Sequence, residues 1–124
     1  MNIIELRSLI IANNVNIQCL LSGRPPVPTS IDFVHTDLKK IAVSFGNSII
    51  KIFDIETGQP VVTFKSDQTY DGTPSTQINR IICHPTMSQV FSAHEDKFIR
   101  GFDINSGKYF VELVFTDEFM EHSR

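Results

Sequence analysis

Cys83 and His84 are neighbours, His94 follows ten residues later, and Glu95 and Asp96 come directly after it. A thiol, two imidazoles and two carboxylates this close together could form a metal site, or a thiol nucleophile with a histidine base. Neither chemistry has its usual spacing, because the chain holds no Cys-x-x-Cys and no His-Glu-x-x-His. Cys83 ends an apolar run, where a thiol stays protonated and inert. His84-Pro85 reads as a turn at a strand end, and His94 as a hairpin residue. The carboxylate neighbours Glu95/Asp96 and Asp117/Glu118 read as solvated groups on a hairpin and a tail rather than as acid–base partners. Gly46, Gly58, Gly72 and Gly107 are isolated turn glycines and build no phosphate-cradling loop. The expectation is a chain that is not an enzyme, with no catalytic residue, metal or cofactor. A small hydrolase or metal enzyme is the weakest of the alternatives.

The elements that would position these residues are written as a repeat. Ile50 to Gly58 reads I-K-I-F-D-I-E-T-G, and Ile99 to Gly107, 49 residues later, reads I-R-G-F-D-I-N-S-G. In an extended strand Ile50, Ile52 and Asp54 share one side, and Lys51, Phe53 and Ile55 the other. The Glu-Thr-Gly and Asn-Ser-Gly endings supply turn chemistry, with glycine free to take a positive φ. Each phrase is therefore a strand that runs into a tight turn.

Around the two phrases the hydrophobic period is two. Ile31 and Phe33 alternate with polar residues, Ile41 to Phe45 is a continuous apolar run, and Gly46-Asn47-Ser48 carries a hairpin signal. Ile49 to Ile55 and Val61 to Phe64 complete four short strands. Residues 65–77 (K-S-D-Q-T-Y-D-G-T-P-S-T-Q) form a polar loop, and the pattern then restarts. Strands are expected over Ile78 to Cys83, Gln89 to Ala93, Phe98 to Ile104 and Tyr109 to Phe115, with His94 to Lys97 as a hairpin. Four strands in roughly 40 residues, said twice, is the pattern of a β-propeller blade. The fold expected is all-β, with antiparallel four-stranded blades of an incomplete propeller. Residues 1–27 form an N-terminal extension and Pro-rich linker, 28–64 and 78–115 two blades, 65–77 the interblade loop, and 116–124 a tail. Within the extension, Met1 to Ala12 favours a helix and Val15 to Leu21 alternates like a short strand.

Composition narrows the classes. The chain has 124 residues, 41% of them hydrophobic, with ten Phe and no Trp. A net charge of −3 offers no basic footprint for nucleic acid. Two cysteines make no disulfide framework, which points to a reducing compartment. Met1 to Ala12 is interrupted by Glu5 and Arg7, is too short to span a bilayer and lacks the basic start of a secretory signal. No transmembrane segment and a cytoplasmic location are expected, with any membrane association made through partners.

The stretch Ser92 to Asp103, S-A-H-E-D-K-F-I-R-G-F-D, resembles the core of a WD repeat. Phe102-Asp103 stands where such a repeat has Trp-Asp, and Phe53-Asp54 does so one unit earlier. Asp96 stands at the hairpin Asp position, with Asn47 as its first-unit counterpart. The resemblance implies a buried set of hairpin Asp, loop His, strand Ser/Thr and Trp. Phe has no N–H to give it, and residues 65–77 contain no Gly-His pair. The blades are thus expected to be degenerate and held mainly by packing. Three phrases together, P-T-S-I-D-F-V at 28–34, Q-I-N-R-I-I-C-H-P-T at 77–86 and S-A-H-E-D-K-F-I at 92–99, resemble the striatin family. The likeness covers about residues 28–113 of the chain.

That resemblance implies a non-enzymatic scaffold, similar to a regulatory subunit of type 2A protein phosphatase. Its implied partners are phosphatase scaffold and catalytic subunits and germinal-centre kinases. Full-length striatins also bind calmodulin and caveolin through N-terminal regions that have no counterpart in these residues. Two blades alone would leave apolar faces open, which makes the isolated chain prone to self-association. A non-functional or interfering fragment of such a scaffold is the second alternative. The candidate partner-facing residues are Asp67, Tyr70 and Asp71 in the loop, and His94, Glu95 and Lys97 at the hairpin.

Overall fold

The computed structural model describes residues 17–46, 48–64, 77–95 and 97–114. Eight strands follow one helical turn, α1 (Gln18–Leu21): β1 (Pro28–Phe33), β2 (Lys40–Phe45), β3 (Ile50–Asp54), β4 (Pro60–Phe64), β5 (Ile78–Cys83), β6 (Gln89–His94), β7 (Phe98–Asp103) and β8 (Lys108–Val114). They form two four-stranded antiparallel sheets in the order β1-β2-β3-β4 and β5-β6-β7-β8. The all-β fold expected from the period-two pattern is the one observed.

The sheets repeat each other residue by residue. Ile41 pairs with Phe53 in the first, and Val90 with Phe102 in the second. The β3–β4 register shifts after Ile52, and the β7–β8 register at the corresponding step after Gly101. The duplicated phrase gives the same turn twice. Asp54 Oδ1 accepts the N–H groups of Glu56 (2.8 Å) and Thr57 (3.1 Å), and Asp103 Oδ1 those of Asn105 (2.8 Å) and Ser106 (3.1 Å). Gly58 and Gly107 close the turns onto the Asp54 and Asp103 carbonyls with φ of 72° and 69°, the left-handed region that a β-carbon disfavours. At the hairpins, left-handed backbone falls on Ser48 and Lys97, again 49 residues apart, and not on Gly46.

The sheets stack face to face. The face that the first sheet turns to the second, its back, carries Ala42, Ile50, Ile52 and Phe64. The second sheet meets it with its own front: Val90, Phe102, Cys83 and Ile81. Phe64 and Phe102 lie with ring centroids 4.7 Å apart. The joint also has polar ties from β1 to β5. The Ile81 N–H donates to Ser30 Oγ (3.2 Å) and the Cys83 N–H to Asp32 Oδ2 (2.7 Å). The front of the first sheet, with Ile41, Val43, Phe45 and Phe53, packs under Ile17 and Leu20.

The short strand expected over Val15 to Leu21 is corrected here: its described part is a helical turn. Ile17, Leu20 and Leu21 are spaced three and four apart, so a turn of helix lays all three on the first sheet, where an alternating strand would divide them. The helix expected over residues 1–12, all but Gln77 of the loop expected over 65–77, Phe115 at the end of the second expected blade and the tail expected over 116–124 lie outside the described residues.

Candidate interaction surfaces

At the hairpin rim, Glu95 and Lys97 are exposed. The Glu95 N–H donates to the Gln77 carbonyl (3.1 Å) and the Lys97 N–H to the His94 carbonyl (3.2 Å). His94 departs from the outward orientation expected of it. It is the last residue of β6, pairs with Ile78 and is 5% exposed. Its Nε2 shares a 2.7 Å hydrogen bond with the buried Ser92 Oγ. Residues two apart on a strand share a face, so a serine and a histidine at 92 and 94 meet without help from a loop. This buried pair supplies a polar tie in the second sheet, which the sequence led us to expect to be held mainly by packing. The equivalent positions in the first sheet are Val43 and Phe45, both buried and apolar. Asn47, Asp67, Tyr70, Asp71 and Asp96 lie outside the described residues.

Phe53 and Phe102, the aromatic residues at the Trp positions, are both buried, but against different neighbours. Phe53 packs edge-on to Phe45 on the front of the first sheet, whereas Phe102 lies between the sheets with Phe64 and Tyr109. Asp54 and Asp103 hold the turns described above.

The opposite rim carries residues that the sequence reading missed. The loops after β1 and β5 hold Leu38, 71% exposed, and Met87, 51% exposed, at equivalent positions. Each loop is braced by a polar side chain. Asp37 Oδ1 accepts the Lys39 N–H (3.1 Å), and this bond and the Lys40 ammonium hold the Asp37 carboxyl below its ordinary range. His84 Nδ1 accepts the N–H groups of Thr86 (3.1 Å) and Met87 (3.0 Å). The Thr36 and Ser88 hydroxyls share a 2.9 Å bond that links the two loops. The signal lay in the sequence as His-x-x-apolar recurring at His35/Leu38 and His84/Met87.

The residues with chemical potential are not brought together. Cys83 pairs with Val90 and His94 with Ile78, so they stand at opposite ends of one strand pair. Burial, with a smaller contribution from the Asp32 charge, pushes the Cys83 thiol up to about 12. Among the described residues no three His, Cys, Asp or Glu side chains cluster to hold a metal ion, and no helix is long and apolar enough to cross a membrane.

These paired blades place the chain among known proteins. It is 39% identical over 88 residues to striatin of Mus musculus, a match covering 71% of this chain and 11% of striatin. Striatin-3 of Bos taurus is 36% identical over 88 residues, with the same coverage. The chain is a striatin homologue. Striatin-4 of Mus musculus is 30% identical over 94 residues, 76% of this chain and 12% of that protein. The chain therefore corresponds to only about a ninth of the length of the striatins it matches. No protein-family model matches it. The crystal structure of RRP9 WD40 repeats superposes with a TM-score of 0.64 at 14% identity, over 77% of this chain and 28% of that one. U3-55K does so with a TM-score of 0.65 at 12% identity and the same coverage. At these identities the superpositions establish the fold alone: the sheets are WD40 blades.

Proposed function

We propose that the chain is a protein-interaction scaffold without chemistry of its own, acting in the cytoplasm as part of a phosphatase–kinase assembly of the striatin kind. In that assembly it contributes to the role of a regulatory subunit of type 2A protein phosphatase, and its partners are phosphatase subunits and germinal-centre kinases. The observation that carries this reading is a striatin-homologous sequence folded into blades with a braced, repeated pair of exposed apolar residues, Leu38 and Met87, on one rim. Binding residues concentrate on loops held by a rigid scaffold, and an exposed apolar side chain there is stabilised when a partner covers it.

The test is affinity purification of the tagged chain from cells, scored for phosphatase subunits and kinases. Recovery of both is expected, together with their loss in a Leu38→Glu/Met87→Glu variant whose thermal melt is unchanged. Absence of both classes from the recovered material would overturn the reading. Recovery that ignores the double variant would move the contact to the hairpin rim.

A further inference from the structure

We propose that His84 is a proton-operated latch on the rim: its neutral ring holds the loop that carries Met87, and its protonation releases that loop while the Leu38 loop stays in place. Nδ1 of His84 accepts the N–H groups of Thr86 (3.1 Å) and Met87 (3.0 Å), so the neutral ring must carry its one proton on Nε2. An imidazolium donates from both nitrogens, and no rotation of the ring then offers the loop an acceptor. Two backbone N–H groups would face a third N–H. The Thr86 hydroxyl, 3.5 Å from Nδ1, can accept from it only once those two groups have turned away. The ends of the loop do not depend on the ring. The His84 N–H donates to the Gln89 carbonyl (2.9 Å) and the Ile104 N–H to the Ser88 carbonyl (2.9 Å). Release is therefore confined to the exposed tip, Pro85 to Met87. Leu38 is 71% exposed although its own sheet has a second one stacked behind it, so such tips stay open within a stack.

The equivalent loop answers a proton in the opposite sense. His35 stands 49 residues before His84, yet its loop is braced by Asp37, whose Oδ1 accepts the Lys39 N–H (3.1 Å). That carboxyl sits below its ordinary range, so it stays charged while imidazoles titrate. His35 Nε2 lies 3.7 Å from Asp32 Oδ2, where a proton on the ring completes an ion pair. His84 instead turns an acceptor nitrogen onto its own loop. The titratable groups around it are Cys83 and, farther back, Arg80 on its own strand, with Asp32 and His35 on β1 and the loop after it. Asp103 and Lys108 stand at the near ends of β7 and β8, and Lys39 and Lys40 turn to Glu56 and Asp37. From β6 it meets the uncharged ring of Phe91, with centroids 6.5 Å apart. Asp32 accepts the Cys83 N–H, and Asp103 holds its own turn. A proton thus secures the first loop and frees the second, although both begin with a histidine in the same place. That this regulates partner binding rests on the rim reading above; the latch itself does not.

The test is NMR on the isotope-labelled 124-residue chain, titrated from about pH 8 to about pH 5, the range in which histidine changes charge. The neutral His84 ring should show the Nε2–H tautomer. Protection of the Thr86 and Met87 amides from hydrogen exchange should fall about tenfold or more, in step with the His84 titration. The Lys39 amide, bonded to Asp37, should keep its protection throughout. His84→Asn leaves an acceptor near the Nδ1 position but cannot titrate, so the loop should stay braced and its pH response should vanish. An Nδ1–H tautomer of the neutral ring would overturn the proposal. So would Thr86 and Met87 amides that ignore the His84 titration, or a pH response that persists in His84→Asn. The wild-type titration decides the matter without any variant. No partner enters these readouts, so the latch and the scaffold reading stand or fall separately.

Discussion

The two sheets share a register, a turn and a nine-residue phrase, yet they are held by different means. The first is covered on both faces, by α1 over an apolar front and by the second sheet over a back where Ser30, Asp32 and Ser44 accompany the apolar residues. The second has a polar spine on its front, with Ser92, His94 and Arg100 all buried, and an exposed apolar back. Equivalent residues thus acquire their roles from what lies against them. Phe64 is core and Leu113 is surface, although both occupy the same place on the fourth strand. A repeat fixes where a side chain points; the neighbour decides what it is worth.

The contrast breaks most visibly at that pair. Phe64→Ala should cost about 3–5 kcal/mol in urea denaturation, since it empties a fully buried aromatic site, whereas Leu113→Ala should cost less than about 1 kcal/mol at low protein concentration. Equal costs would mean that the second sheet's back is covered in solution.

The polar spine gives the next largest effect. Ser92→Val should cost about 1–3 kcal/mol by depriving the buried His94 Nε2 of its 2.7 Å hydrogen bond. Adding His94→Phe recreates the Val43/Phe45 pair of the first sheet and should recover part of that loss, because the imidazole that Ser92→Val leaves without its 2.7 Å partner is then gone as well. A double variant as unstable as the sum of its parts would show that the spine is indispensable to this blade.

Cys83 distinguishes the sheets by pH, because Phe33 takes its place in the first. With the folded thiol raised from its ordinary 9.0 to about 12, the unfolded chain loses the proton first on going alkaline. The stability due to this group is complete below pH 9 and falls by about 1.4 kcal/mol per unit between pH 9 and 12. Denaturation midpoints of the wild type and Cys83→Ala should therefore converge as pH rises over that window, and parallel curves would refute the shift.

The smallest effect tests sameness. Asp54→Ala and Asp103→Ala each remove two side-chain bonds to turn N–H groups and should each cost about 1 kcal/mol, equal within error, in thermal melts. A clear inequality would show that the turns differ energetically despite their matching geometry.

Much of this was legible in the chain. The strands followed from period-two alternation between Gly, Pro and Asn signals, and the tight turns from the repeated phrase itself, whereas the capping by Asp54 and Asp103 emerged only from the structure. The misread stretches fail for identifiable reasons. Ile17, Leu20 and Leu21 sit in a run of seven, too short for a period of two to be told from one of 3.6. His94 precedes Glu95-Asp96-Lys97, and its polarity made it look like part of the turn, but one residue of register puts it on the strand facing inward. The rim residues Leu38 and Met87 stayed unseen because apolar residues in loops carry no periodicity. The contrast between covered and open faces could not be seen at all, since it depends on stacking between sheets.

Asp32 has a wider consequence. Its Oδ1 accepts the N–H of Phe33 (2.9 Å) on its own strand while its Oδ2 accepts that of Cys83 on the next sheet. β1 and β5 are the end strands of their sheets, so both amides lie on edges that another extended chain could pair with. One carboxylate thus occupies a donor on each of two edges. Its loss would do more than loosen a joint. It would open two templates for strand addition, the step from which ordered aggregates grow.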